Sequence, residues 1–163
     1  MQLPVVSAVI ECATAPTDDV RALIGELEED LAVGYPPEQR HGLAVDAIFQ
    51  PHIRFFLARE GGAAIGCCGV ALFDDFAELK RMYVRPGARG RGVAEALLAR
   101  VEEVTGEAGL TRLRLETGDR QLAAMRFYAR EGFTECGSFG AYAAMPPAHI
   151  ATSVFYEKRI AIR

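Results

Sequence analysis

The stretch Ala77-Glu78-Leu79-Lys80-Arg81-Met82-Tyr83-Val84-Arg85-Pro86-Gly87-Ala88-Arg89-Gly90-Arg91-Gly92-Val93-Ala94 decides how this chain is read. Residues from Phe76 to Val84 have the character of a strand, and Pro86-Gly87 ends it. Beyond Val93, Leu97, Leu98, Val101 and Val104 recur at helical spacing as far as Glu107. Gly90 and Gly92 fall where the strand gives way to the helix, so the unpaired first-turn amides point at whatever anion sits there. Glycine lets phosphate oxygens reach the backbone, and Arg89 and Arg91 add charge that pairs with them. From Leu79 to Ala94 the chain carries Lys80, Arg81, Arg85, Arg89 and Arg91 and no acidic residue, a candidate anion site.

Downstream, Leu113 and Leu115 alternate with Arg112, Arg114 and Glu116, the pattern of a strand with two distinct faces. Gly118-Asp119 is expected to open a further helix that closes at Gly132, a residue suited to a left-handed cap. Closing strands are expected from Phe133 and from Thr152 to Glu157, with a Gly- and Pro-containing segment, Gly137 to Pro147, between them. Upstream, Val5 to Ile10 reads as a strand, and Pro16-Thr17-Asp18-Asp19 as a break and helix cap. A helix from Val20 carries Leu23, Ile24, Leu27 and Leu31 and is stopped by Gly34-Tyr35-Pro36-Pro37. Leu43 to Phe49 is a second short helix. Ile53 to Arg59 and Ala63 to Phe73 then form a hairpin about Gly61-Gly62. This order predicts an α/β (α+β) fold with a mixed, mostly antiparallel central sheet flanked by helices. No repeat or linker divides the chain, so residues 1–163 are expected to form one domain.

The 163 residues are 50% hydrophobic and 25% charged, an ordinary globular balance, with a net charge of −4. That charge gives no attraction to nucleic acid or acidic membranes, and no arginine-rich helix or interleaved aromatics support a nucleic-acid reading. Cys12, Cys67, Cys68 and Cys136 have no metal-ligand spacing and read as reduced packing residues. His41, His52 and His149 are likewise scattered, so no metal is expected. No apolar run reaches the ~18 residues of a membrane span and no leader pattern is present, which points to the cytoplasm.

The loop excludes other phosphate binders. A Walker loop needs Gly-Lys-Ser/Thr, whereas Val93 and Ala94 follow Gly92; Glu95 stands where a dinucleotide loop needs its last glycine. Arg89-Gly90-Arg91-Gly92-Val93-Ala94 matches Q/R-x-x-G-x-G/A, which resembles the acyl-CoA pyrophosphate loop of the GNAT (GCN5-related N-acetyltransferase) family. The preceding strand and the Arg85-Pro86 step look like that family's central strand and its exit. Leu115-Glu116-Thr117-Gly118, Gln121, Ala124, Tyr128 and Gly132-Phe133 resemble its next strand and helix, with Gln121 where an Asn is common. The resemblance covers about Phe76 to Phe133. It implies a GNAT-like acyl-CoA N-acyltransferase fold that takes acetyl-CoA as cosubstrate. Cofactor contacts carried over are Met82, Tyr83 and Val84 at the strand end, Arg89, Gly90, Arg91, Gly92, Val93 and Ala94 in the loop, and Gln121 and Tyr128 downstream. The implied reaction is direct acetyl transfer to a primary amine of a small molecule, peptide or protein; self-association as a homodimer is left open.

Each role has a plainer reading beside it. The loop alone is equally a Gly-rich turn with solvated arginines. Tyr128 by spacing is a core tyrosine; by resemblance its hydroxyl meets the departing sulfur. Glu78 is an exposed strand carboxylate or, as in some relatives of the family, the base that takes the proton of the amine, and Glu116 is the alternative. Cys67-Cys68 reads as core; Tyr35 and Tyr142 lie in Pro/Gly-containing loops, where they are either surface aromatics or contributors to acceptor specificity. A module that binds coenzyme A without turning it over is the competing function.

Overall fold

A computed structural model describes residues 7–162. Seven strands form one sheet: β1 (Val9–Ala13), β2 (Ile53–Glu60), β3 (Ala63–Leu72), β4 (Ala77–Val84), β5 (Arg112–Gly118), β6 (Thr134–Cys136) and β7 (Ser153–Arg159). Their order across the sheet is β1-β2-β3-β4-β5-β7-β6, and every neighbouring pair is antiparallel except β4 and β5. The mixed, mostly antiparallel sheet flanked by helices is as the sequence predicts. β1 begins later than expected, and Val5 and Val6 lie outside the described residues.

Four helices cover the sheet: α1 (Asp18–Gly34), α2 (Val45–Ile48), α3 (Val93–Glu107) and α4 (Leu122–Arg130). Thr17 caps α1, its hydroxyl oxygen accepting from the Val20 amide at 3.5 Å. The short helix expected over Leu43 to Phe49 is a single turn. The helix expected to open at Gly118-Asp119 starts instead at Leu122: the Asp119 amide donates to the Thr152 carbonyl, and the Gln121 amide to that of Gly118, which makes a turn of this segment.

β2 and β3 are buried almost throughout, because alternate side chains serve two cores. Phe55, Leu57 and Cys67 pack with Val20, Leu23 and Ile24 of α1. Phe56, Ala58 and Cys68 pack on the opposite face with Leu97, Leu98 and Val101 of α3, a core extended by Leu113, Leu115, Phe127 and Tyr128. The β2–β3 turn takes positive φ at both Gly61 (57°) and Gly62 (85°), the backbone of a two-residue hairpin. No helix among the described residues is long and apolar enough to cross a membrane.

Candidate functional site

Two local irregularities open the sheet at its centre. Between Cys67 and Gly69 of β3, β4 carries one extra residue, since Cys67 faces Tyr83 and Gly69 faces Lys80. Arg81 within that bulge has φ 56°, a conformation that a side chain makes costly by about 1 kcal/mol or more. Its guanidinium offsets the strain by donating to the Leu43 carbonyl (Nε 2.9 Å, Nη2 2.7 Å) and to Glu28 Oε1 of α1. Gly42 is seated on that group: a Cβ there would lie 2.1 Å from Arg81 Cζ.

The second irregularity is the parallel pairing of β4 and β5, which runs only from Ala77–Leu113 to Leu79–Leu115. Beyond it the two strands part, and a cavity of about 140 Å³ lies in the opening. Of the residues singled out from sequence, Glu78, Met82, Glu116, Gln121 and Tyr128 border it. Alternate residues of a strand present their backbone groups to opposite neighbours. The Arg85 amide bonds Ile65 of β3, so Met82 and Val84 turn theirs away from β3; Met82 borders the opening, and the Val84 carbonyl is taken by Arg89. Tyr83 turns the other way, and its hydroxyl donates to Glu26 Oε1 of α1 at 3.1 Å.

The glycine loop follows directly. Gly90 (φ 72°) and Gly92 (φ 88°) are both left-handed, nothing lies within 4 Å of a Cβ built on Gly90, and no side chain caps the first turn of α3. That donor set, backbone amides at a helix start with room before them, suits a pyrophosphate. The arginines are more engaged than their sequence suggests. Arg89 Nε donates to the Val84 carbonyl at 2.8 Å, and its Nη2 is 3.6 Å from Asp30; Arg91 Nη2 donates to Glu60 Oε2 at 3.2 Å. Val93 is core, 2% exposed, and Ala94 packs against the same cluster.

At the other end of the cavity is a polar cluster. Glu78 is 6% exposed, which removes the reading of it as a solvated strand carboxylate. Its Oε2 accepts from the Tyr142 hydroxyl at 2.6 Å and from Lys80 Nζ at 3.1 Å, and Lys80 lies 3.3 Å from the same hydroxyl. Tyr142 is thus no surface aromatic: it is 5% exposed, in a 3-10 turn (Gly140–Ala144), with Phe139 and Phe155 edge-on to its ring. Burial, then the charge of Glu78, pushes the Tyr142 hydroxyl far up, so it stays a proton donor. His41 stands edge-on to Tyr142 at 5.6 Å and donates from Nε2 to the His149 carbonyl at 2.7 Å, which as a carbonyl only accepts. Tyr35 is also buried, its hydroxyl accepting from the Arg120 amide at 2.7 Å. The sequence carried one usable sign of this cluster, the spacing of Glu78 and Lys80 on a strand. Tyr142 was marked only by its Pro/Gly-containing loop, and His41 by nothing.

Glu116, one residue past the last β4–β5 pair, accepts from Ser153 Oγ at 2.6 Å. Burial raises its pKa despite that bond and the nearby His41 and Lys80. Tyr128 is buried among Phe127, Phe133 and Tyr156. Burial, with a smaller contribution from Cys68, holds its hydroxyl protonated. Cys67 and Cys68 are fully buried, with the Cys67 thiol pushed up to about 12 by burial, which suits packing and not nucleophilic chemistry. Among the described residues no group of three or more His, Cys, Asp or Glu is placed to hold a metal.

Residues 21–133, more than half of the chain, match the Acetyltransferase (GNAT) family. The chain belongs to that family. As a GNAT protein it is an N-acyltransferase, and its relatives bear the assignment out. An IAA acetyltransferase of Azospirillum brasilense is 39% identical over 143 residues, covering 86% of this chain and 90% of that protein. The crystal structure of a protein from Klebsiella pneumoniae assigned as an acyl-CoA N-acyltransferase superposes with a TM-score of 0.74 at 30% identity, covering 94% of this GNAT chain and 98% of the other. The PaiA N-acetyltransferase of Thermoplasma acidophilum, solved with coenzyme A, shares the fold at 18% identity and a TM-score of 0.69, covering 93% and 99%.

Proposed function

We propose that this protein, acting as one domain over residues 1–163, transfers an acetyl group from acetyl-CoA directly to a primary amine within a ternary complex. The observation that carries the reading is the opening between β4 and β5, which Glu78 and Tyr128 border together. Acetyl-CoA supplies an activated acyl carbon on a thioester. Its pyrophosphate is assigned to the amides from Arg89 to Ala94 and its pantetheine arm to the backbone of Met82 and Val84, with Gln121 at the same opening. The engagement of Arg89 and Arg91 with Asp30 and Glu60 leaves the amides, not the guanidinium groups, as the principal anion donors in this reading.

An alkylammonium has a pKa of about 10.4, so making it neutral at pH 7 costs about 4.6 kcal/mol. Glu78 is assigned to take that proton, directly or through one water, with Tyr142 and Lys80 holding one of its oxygens and leaving Oε1 for the proton. The amine nitrogen then bonds to the acyl carbon as the carbon–sulfur bond breaks. Tyr128 donates its hydroxyl hydrogen bond to the sulfur as charge builds there. The nitrogen gives up its second proton to water and the thiolate takes one from water, so one thiol and one amide form for each thioester consumed, and the proton held by Glu78 returns to solvent.

The test is steady release of coenzyme A by the purified protein over a panel of primary amines. Turnover that scales with enzyme supports the reading. Tight coenzyme A binding with no turnover on any amine would instead make the protein a binding module.

A further inference from the structure

We propose that the acceptor is a small amine with an aromatic or branched-alkyl body and no carboxylate beside its nitrogen, bound in a second cavity that abuts the polar cluster. This rests on the acetyl-transfer reading above and names its substrate class. The cavity, about 910 Å³, lies between the His41–Leu43 segment, the turn that joins β3 to β4, and the Gly140–Met145 segment. Its volume is that of a small-molecule site rather than of a macromolecular surface. It shares His41, Gly42, Glu78, Lys80 and Tyr142 with the cavity between β4 and β5. A molecule lodged in it therefore ends at Glu78, on the side from which the amine must approach.

Its walls set the body of that molecule. Leu43, Ile53, Leu72 and Met145 supply aliphatic surface, and Phe73 and Phe76 form an aromatic wall with ring centroids 4.9 Å apart. Phe73 is 41% exposed, one of few large apolar side chains left so among the described residues, and it faces this cavity. The wall behind is closed: a Cβ on Gly140 would stand 3.2 Å from Phe76 Cζ. An aromatic or branched body would cover these side chains and remove their area from water.

Charge sets the head group. Asp74, Asp75 and Glu78 line the cavity against one ammonium, Lys80, which already lies 3.1 Å from Glu78 Oε2. No arginine lines it; of the two imidazoles that do, His41 spends Nε2 on the His149 carbonyl and His52 lies against the Phe73 ring at 5.6 Å. An incoming ammonium meets an excess of carboxylates, whereas a carboxylate on the neighbouring carbon meets three acids and a lysine already paired with one of them.

The experiment compares matched pairs that differ only by that carboxylate: 2-phenylethylamine with phenylalanine, and isopentylamine with leucine, each with acetyl-CoA and the full chain. The expected result is a kcat/KM at least tenfold higher for the member without carboxylate in both pairs. Phe73→Ala should raise KM for 2-phenylethylamine about fivefold or more, with coenzyme A binding by calorimetry as the fold control. Replacing both Asp74 and Asp75 by Asn should narrow the discrimination within each pair. Turnover equal or better with the amino acids, or with ethanolamine or putrescine, overturns the substrate class and leaves acetyl transfer standing. Coenzyme A binding without turnover of any amine overturns the acetyl-transfer reading and the class with it.

Discussion

Tyr128 and Glu78 reach the same opening from different faces of the sheet, one from the core shared with α3 and α4, the other from the cluster around Tyr142. Their assigned duties differ, and so do the expected defects. Tyr128→Phe keeps the ring and its packing but removes a hydrogen bond needed only as charge builds on sulfur. Turnover is therefore expected to fall about tenfold or more, while coenzyme A affinity by calorimetry stays within about twofold. A kcat within about twofold of the parent, with chemistry rate-limiting, would return Tyr128 to a core role. Glu78→Gln keeps size and removes the base. Its deficit should be greatest near pH ~6.5 and shrink towards pH ~9.5, where more of the amine is neutral unaided. A deficit that stays flat over that range would assign Glu78 to positioning and pass the proton to another carrier, with Glu116 the next candidate.

At the scale of elements, the bulge in β4 and the short pairing with β5 together shape the candidate site. Lys80 shares the face of Glu78 by ordinary alternation and reaches Tyr142, the bulge that follows turns Arg81 to α1, and the strands part immediately beyond Leu79 and Leu115. The turn from β4 into α3 depends on Gly90 and Gly92 at positive φ. Gly92→Asp places a side chain and a negative charge where the pyrophosphate is assigned, at a left-handed position that costs about 1 kcal/mol for a residue with a Cβ. Coenzyme A affinity is expected to fall by about tenfold or more with the fold retained by circular dichroism. Unchanged binding in the calorimeter would remove the phosphate assignment from this loop.

Over the whole molecule, most ion pairs among the described residues join different elements. The basic stretch from Leu79 to Ala94 is answered by Glu26, Glu28 and Asp30 of α1 and by Glu60 of β2. Glu116 is where burial outweighs such compensation. With its folded pKa raised, the native state binds a proton more readily than the unfolded chain. That contribution is present below the ordinary carboxylate range and is lost as pH rises through the raised value. Glu116→Gln should remove this dependence while its amide oxygen still accepts from Ser153. Urea unfolding at pH ~4.5 and ~7.5 is expected to show the variant gaining on the parent at the higher pH. An equal difference at both values would show that Glu116 titrates alike in the folded and unfolded chain.

The succession of strands and helices, the boundaries of α3, the hairpin at Gly61-Gly62 and the glycine loop were legible along the chain, because periodicity, turn chemistry and capping act over a few residues. Glu78 and Tyr128 are candidates only through the family resemblance, and both border the opening between β4 and β5. The sequence by itself could not present Tyr142, which meets Glu78 across 64 residues of chain, or His41, which meets the His149 carbonyl across 108. Nor could it show that the arginines of the basic stretch face acids of α1. Those meetings follow from the sheet order, which sets β7 beside β5 and so returns the Gly137–Pro147 segment to the open end of β4. No local pattern encodes such an approach: it is fixed only when the two cores close on the sheet and every buried polar group must find a partner.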